Sequence, residues 1–180
     1  VIGRAWVLAD LSSGQVLAAE KAGEHFEPAS LTKLMTAYLV FRALKEKKLS
    51  LEQQISVSER AWRAPGSRMF VDPRKPVAVE ELIRGMVIQS GNDACIALAE
   101  TVAGTEEAFA QMMNREAARL GMKTTKFMNA SGLPDPQHYS TAHDLHLLAA
   151  ALIRDFPEAY AQYYSQKQFR YNNITQPNRN

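Results

Sequence analysis

Between residues 30 and 44 apolar side chains fall on every side of a helical projection: Leu31, Leu34, Met35, Tyr38, Leu39, Val40, Phe41 and Leu44 surround the axis. A helix with one apolar stripe can lie on a surface, whereas one that is apolar all round must be wrapped by other elements. The chain must therefore fold around this segment. Its 180 residues, 46% of them hydrophobic, suffice for that: a chain of this length can bury about 70% of its unfolded surface in one core.

The head of the segment reads Ser30-Leu31-Thr32-Lys33. Residues three apart on a helix share a face, so the Ser30 hydroxyl can meet the Lys33 amine. That pairing suits a nucleophile with its own base. Lowering a lysine from ~10.4 to about 7 takes roughly 3 pKa units, or on the order of 4 kcal/mol, which burial in an apolar helix end can supply. Backbone N–H groups at the helix N-terminus are also placed to stabilise an oxyanion on an attacked carbonyl. Taken alone, the same four residues are more often an N-cap serine followed by a surface lysine.

Ser90-Gly91-Asn92 follows about sixty residues later, between two apolar segments. Ser90 has the chemistry to relay a proton to a leaving amine, and the Asn92 amide can hold a peptide group by paired donor and acceptor. A polar turn with Asn92 opening the next helix is the alternative, and both can hold together.

Three extended strings carry a family resemblance: Glu27-Pro28-Ala29-Ser30-Leu31-Thr32-Lys33-Leu34-Met35-Thr36; Leu82-Ile83-Arg84-Gly85-Met86 with Gln89-Ser90-Gly91-Asn92-Asp93-Ala94; and Gly132-Leu133-Pro134-Asp135 with Tyr139-Ser140. In order and over essentially the whole chain they resemble low-molecular-weight penicillin-binding proteins of the D-alanyl-D-alanine carboxypeptidase type, with glycine replacing the middle aspartate of the usual S-D-N element. The resemblance implies an α+β fold of the DD-peptidase/β-lactamase kind, an antiparallel sheet packed with helices beside a mostly helical half. It implies Ser30 as acylated nucleophile, Lys33 as general base, and Ser90 with Asn92 as proton relay and substrate clamp, with no metal or organic cofactor. The implied partners are the peptidoglycan pentapeptide and β-lactam antibiotics. The implied location is the periplasm, outside the bacterial cytoplasmic membrane, with a signal sequence removed before Val1. A β-lactamase ranks below this reading, because no candidate deacylating glutamate stands in the matching motif.

The family's third element, Lys-Thr-Gly on a sheet strand, has no counterpart among these residues. That strand would supply a cation for the substrate carboxylate, a backbone edge and a second oxyanion donor. One such donor is worth about 10²–10³ in rate. The expectation is thus one C-terminally incomplete catalytic domain over 1–180, with a sheet hairpin in 1–29, a mainly helical part in 30–167, and a strand and loop in 168–180 leading to the missing part. The sheet should be incomplete, and a separate segment or a second chain should complete it. The alternative function is a catalytically incomplete relative that binds peptidoglycan peptide or a partner chain.

A net charge of +2 gives no case for nucleic acid. Lys45, Lys47 and Lys48 read as a solvated helix end, and Cys95, the sole cysteine, as a buried inert thiol. No apolar run approaches the ~18–20 residues of a membrane span. Locally, residues 5–9 and 15–18 flank a turn with Gly14 and predict a hairpin. A short strand is expected at 55–57, a loop at 63–76, and helices at 80–89, 92–103 and 106–120, the last capped by Gly121. Thr141 to Asp144 resembles a capping box opening a helix to about 155, and 169–171 a final strand. His143 and His146 lack a third ligand and are read as no metal site. Asn129-Ala130-Ser131 and Asn173-Ile174-Thr175 are read as loop residues, and Arg68-Met69-Phe70 as either pocket rim or surface loop.

Overall fold

The computed structural model describes residues 2–178. Its first strands, β1 (Trp6–Ala9) and β2 (Val16–Glu20), form the expected antiparallel hairpin, with Gly14 at φ 73° in the turn. Only glycine adopts that conformation without strain. β2 is exposed along its whole length, and Leu8 and Leu17 are more than half exposed.

The central helix begins differently from expectation. Ala29–Thr32 form a 3-10 turn, and the α-helix proper, α1, runs Lys33–Lys45. Ala29 sits at φ 48°, a conformation costly for a side-chain-bearing residue, and the tighter turn follows directly from it. Every residue from Met35 to Phe41 is buried, while Leu31 at the head is 49% exposed. The all-round apolar pattern therefore reports true wrapping except at the first turn.

The wrapping elements are α3 (Val79–Gln89), α4 (Asn92–Ala103), α5 (Glu106–Arg119) and α6 (Ala142–Asp155), each packed on α1. Between α1 and α3 lie β3 (Gln54–Ile55), a single-turn α2 (Glu59–Trp62) absent from the sequence expectation, and β4 (Val77–Ala78), which pairs with β3. Strand 55–57 is thus displaced by one residue and shortened. Helix α5 ends as expected, with Gly121 at φ 81°.

At α6 the box is only half made. The Thr141 hydroxyl accepts from the Asp144 N–H at 3.1 Å, but the Asp144 carboxylate turns to the Thr124 N–H at 2.8 Å and the Thr125 hydroxyl at 2.7 Å. A tertiary pair of donors displaces the local one. The tyrosines of 160–164 lie on α7 (Pro157–Tyr164), which packs on α3 and α6. Last come β5 (Gln168–Tyr171) and β6 (Ile174–Pro177), antiparallel across Asn172 and Asn173, both at positive φ as a two-residue hairpin requires.

The architecture is α+β, as expected. Among the described residues the strands form three separate two-stranded pairs rather than one sheet, beside one buried apolar cluster centred on α1. No helix among the described residues is long and apolar enough to cross a membrane.

Candidate active site

Ser30 is exposed at the head of the 3-10 turn, and the Lys33 side chain lies beneath it, only 7% of the residue remaining accessible. Lys33 Nζ is 3.3 Å from Ser30 Oγ, 2.8 Å from Asn92 Oδ1 and 2.9 Å from the Ser131 carbonyl oxygen. An ammonium has three protons, and here each has an acceptor. Burial lowers the Lys33 pKa from its ordinary value, opposed by the nearby Cys95. Cys95 itself is fully buried, and that burial pushes its thiol up to about 12, the inert state read from the sequence.

Ser90 closes the group from the opposite side. It occupies the C-cap of α3 at φ 54° and ψ 37°, a left-handed conformation that turns its side chain towards α1. Its hydroxyl donates to Ser30 Oγ at 3.0 Å. A non-glycine residue held in this region stores strain that neighbouring contacts must offset. Here the Gly91 N–H donates to the Gly85 carbonyl at 3.0 Å, and the Asn92 N–H to the Ser67 carbonyl at 2.7 Å.

Asn92 is more committed than its sequence role suggested. Its Oδ1 accepts from Lys33 and its Nδ2 donates to the Pro65 carbonyl at 2.8 Å, leaving one N–H and one lone pair for any further partner. The segment a few residues beyond Pro65 is held by Asp93, which is 1% exposed. Asp93 Oδ1 accepts from Met69 N–H at 3.0 Å and Ala94 N–H at 2.9 Å; Oδ2 accepts from Phe70 N–H at 2.9 Å and Val71 N–H at 3.1 Å. Met69 is fully buried while Arg68 and Phe70 are exposed, so the segment is partly rim and partly core.

The underside of the turn rests on residues 129–133. Asn129 Oδ1 accepts from the Gly132 N–H at 2.8 Å and its Nδ2 donates to the Leu133 carbonyl at 2.9 Å, which makes the loop a self-bonded turn. Gly132, at φ 86°, approaches so closely that a Cβ there would lie 1.7 Å from the Ala29 carbonyl oxygen. Thr36 Oγ1 donates to the Ala130 carbonyl at 2.6 Å. Beside Ser30 a cavity of about 330 Å³ opens, walled by Lys33, Ser90, Leu31, Leu34, Met86 and Tyr164.

The four residues singled out from the sequence thus converge at one point. The sequence did not point to Asp93, the Pro65 and Ser131 carbonyls, or His138, which lies deeper. His143 and His146 stack edge-to-face at 5.1 Å on α6, apart from this group, and no cluster of three or more possible metal ligands occurs among the described residues.

The chain is similar to proteins of known name and structure. The Peptidase_S11 family, described as D-alanyl-D-alanine carboxypeptidase, matches residues 1–180. The chain is 48% identical over 186 aligned positions to D-alanyl-D-alanine carboxypeptidase DacC of Escherichia coli, covering all of this chain and 46% of that one. It is 41% identical to DacA of Haemophilus influenzae, again over all of this chain and 46% of the relative. Among solved structures, penicillin binding protein 5 from Haemophilus influenzae superposes with a TM-score of 0.96 at 41% identity, over 99% of this chain and 53% of that one. D-alanyl-D-alanine carboxypeptidase DacD from Francisella tularensis gives 0.93 at 42%, over 99% and 43%. The chain therefore spans about half the length of the curated relatives it matches. By a family match over its whole length and by close identity to named members, the chain belongs to the D-alanyl-D-alanine carboxypeptidase family.

Proposed function

We propose that these residues carry the nucleophile and base of a serine-type D-Ala-D-Ala carboxypeptidase that removes the terminal D-alanine of peptidoglycan pentapeptides in the bacterial periplasm. One observation carries the reading: Lys33 Nζ and Ser90 Oγ both lie within hydrogen-bond reach of Ser30 Oγ, at 3.3 and 3.0 Å. When Lys33 is neutral, its two N–H groups remain with Asn92 and Ser131, and its lone pair is left for the Ser30 proton. Ser30 Oγ then attacks the carbonyl carbon of the penultimate D-alanine, and the negative charge collects on the carbonyl oxygen, facing the Ser30 N–H at the head of the turn. Collapse breaks the C–N bond. The proton taken by Lys33 reaches the leaving amine through Ser90, giving free D-alanine and an acyl-serine. Lys33, neutral again, takes a proton from the water that attacks the ester carbonyl, and returns it to Ser30 Oγ as the acyl C–O bond breaks.

A penicillin would acylate Ser30 by the same first step, its lactam C–N bond opening without loss of a fragment. The scheme calls for no metal or organic cofactor. It assigns the substrate carboxylate, the peptide edge and the second oxyanion donor to a Lys-Thr-Gly strand, which the 180 residues do not contain. Residues 1–180 are on this reading part of one transpeptidase-like domain, completed by further chain or by a second chain. The exposed β2 and the half-length coverage of the relatives support that view. The test is release of D-alanine from a pentapeptide by the intact protein and by Ser30→Ala. Release by the first and not the second is expected. Equal release by both would refute the assignment, and no release by either would favour a binding role.

A further inference from the structure

His138 fastens the turn that carries Ser30, although the chemistry above gives it no part. It is 3% exposed, and both ring nitrogens are engaged. Nδ1 lies 2.9 Å from the Met128 backbone nitrogen, and Nε2 lies 2.7 Å from Thr32 Oγ1. A backbone N–H only donates, so Nδ1 is the acceptor and bears no proton. The single proton of the neutral ring is therefore on Nε2 and is donated to Thr32.

The two partners stand at the two ends of one mechanical link. Thr32, fully buried, belongs to the 3-10 turn and directly precedes Lys33. Met128 opens the segment whose Ala130 and Ser131 carbonyls accept from Thr36 and Lys33. At the far end of that segment the His138 backbone N–H donates to the Asp135 carbonyl at 3.0 Å. The imidazole thus ties the start of the segment to the turn it supports.

We propose that His138 is a positioning residue for the acyl transfer: by bridging Met128 and Thr32 in its Nε2–H form, it fixes the Ser131 carbonyl against Lys33 and so aims the lysine lone pair at Ser30. The inference rests on the assignment of Lys33 as base. A neutral amine with two fixed acceptors has one direction left for its lone pair, and a displacement of about 1 Å in such a group can cost about 10²-fold in rate. An imidazolium does not fit the link, because its Nδ1–H would face the Met128 N–H. Burial disfavours that form, while Asp135 and Glu27, the charged groups whose fields act on the ring, favour it; the net effect is a pKa below the ordinary histidine value. The Phe127 ring, edge-on at 5.7 Å, adds no charge.

The experiment compares wild type, His138→Ala and His138→Gln in the intact protein. The readouts are the limiting rate of acylation by benzylpenicillin, the Tm, and the titration of Lys33 Nζ followed by ¹⁵N NMR. We expect acylation by His138→Ala to fall about 10²-fold, with a shifted Lys33 titration. His138→Gln, whose amide keeps a donor for Thr32, should recover at least about tenfold at a similar Tm. A lowered Tm with unchanged acylation rate and Lys33 titration would reduce His138 to a packing residue and overturn the proposal. If wild type itself is not acylated, the assigned reaction falls. The lysine titration then still decides whether His138 positions Lys33, an unchanged midpoint in His138→Ala refuting it.

Discussion

Asp93→Asn isolates the support that the sequence did not reveal. The substitution keeps size and shape, and with its carbonyl oxygen in the Oδ1 place it retains acceptance from Met69 and Ala94. The new amide nitrogen then faces the Phe70 and Val71 N–H groups at the former 2.9 and 3.1 Å, donor against donor. Hydrogen bonds to a charged acceptor are worth about 1.5–3 kcal/mol each, so losing two costs about 3–6 kcal/mol. That is a large share of a total stability of about 5–15 kcal/mol. If the loop detaches before the whole molecule unfolds, the loss appears locally instead. Amide exchange at Met69, Phe70 and Val71 should then accelerate by at least about 10²-fold, the equivalent of about 3 kcal/mol. Urea unfolding and hydrogen exchange on the same sample cover both cases. A loss under about 1 kcal/mol, with exchange at these three amides unchanged, would refute the claim that the carboxylate holds this loop.

Four further outcomes are expected. Lys33→Ala should lower acylation by about 10²–10⁴-fold, as removal of a general base does, and shift Tm by no more than about 4 °C; a wild-type rate would remove Lys33 from the base role. The acylation rate of the wild type should rise with pH through a midpoint below 10.5, since burial lowers the Lys33 pKa and the neutral form is the active one. Stability should rise with pH over the same window, from the folded-state midpoint up to 10.5, because there the unfolded chain binds the proton that the folded chain has released; a flat rate profile would contradict this. Gly132→Ala, with φ 86° and a Cβ placed 1.7 Å from the Ala29 carbonyl oxygen, should cost at least about 1–3 kcal/mol and displace the Ser30 turn, measured by thermal unfolding and by acylation rate.

What could be read from the sequence was what periodicity and side-chain type encode. The apolar pattern located the end of α1, and α3 through α6, to within one or two residues, because each buries a face whose spacing is written locally. The side chains of Ser30, Lys33, Ser90 and Asn92, singled out by residue type and spacing, lie within hydrogen-bond reach of one another in the structure. The start of α1 was misplaced, because the positive φ at Ala29 and the 3-10 turn after it, packed against Gly132 over a hundred residues away, have no signature in the local apolar pattern. Ile174–Pro177 was missed as a strand because it is polar and mostly exposed, and only the Asn172-Asn173 turn signals it. Backbone acceptors such as Ser131 and Pro65 leave no trace in residue type. The Asp144 carboxylate shows the converse, a local motif whose second half is taken by distant partners.

The central claim is that Ser30 is a nucleophile served by Lys33 and Ser90. Denaturing intact-mass spectrometry before and after incubation with benzylpenicillin tests it most directly, with the adduct located by peptide mapping. The account predicts a mass increase of one whole penicillin on the peptide bearing Ser30, absent from Ser30→Ala. An adduct that persists in Ser30→Ala, or an unmodified protein at saturating drug, would contradict it.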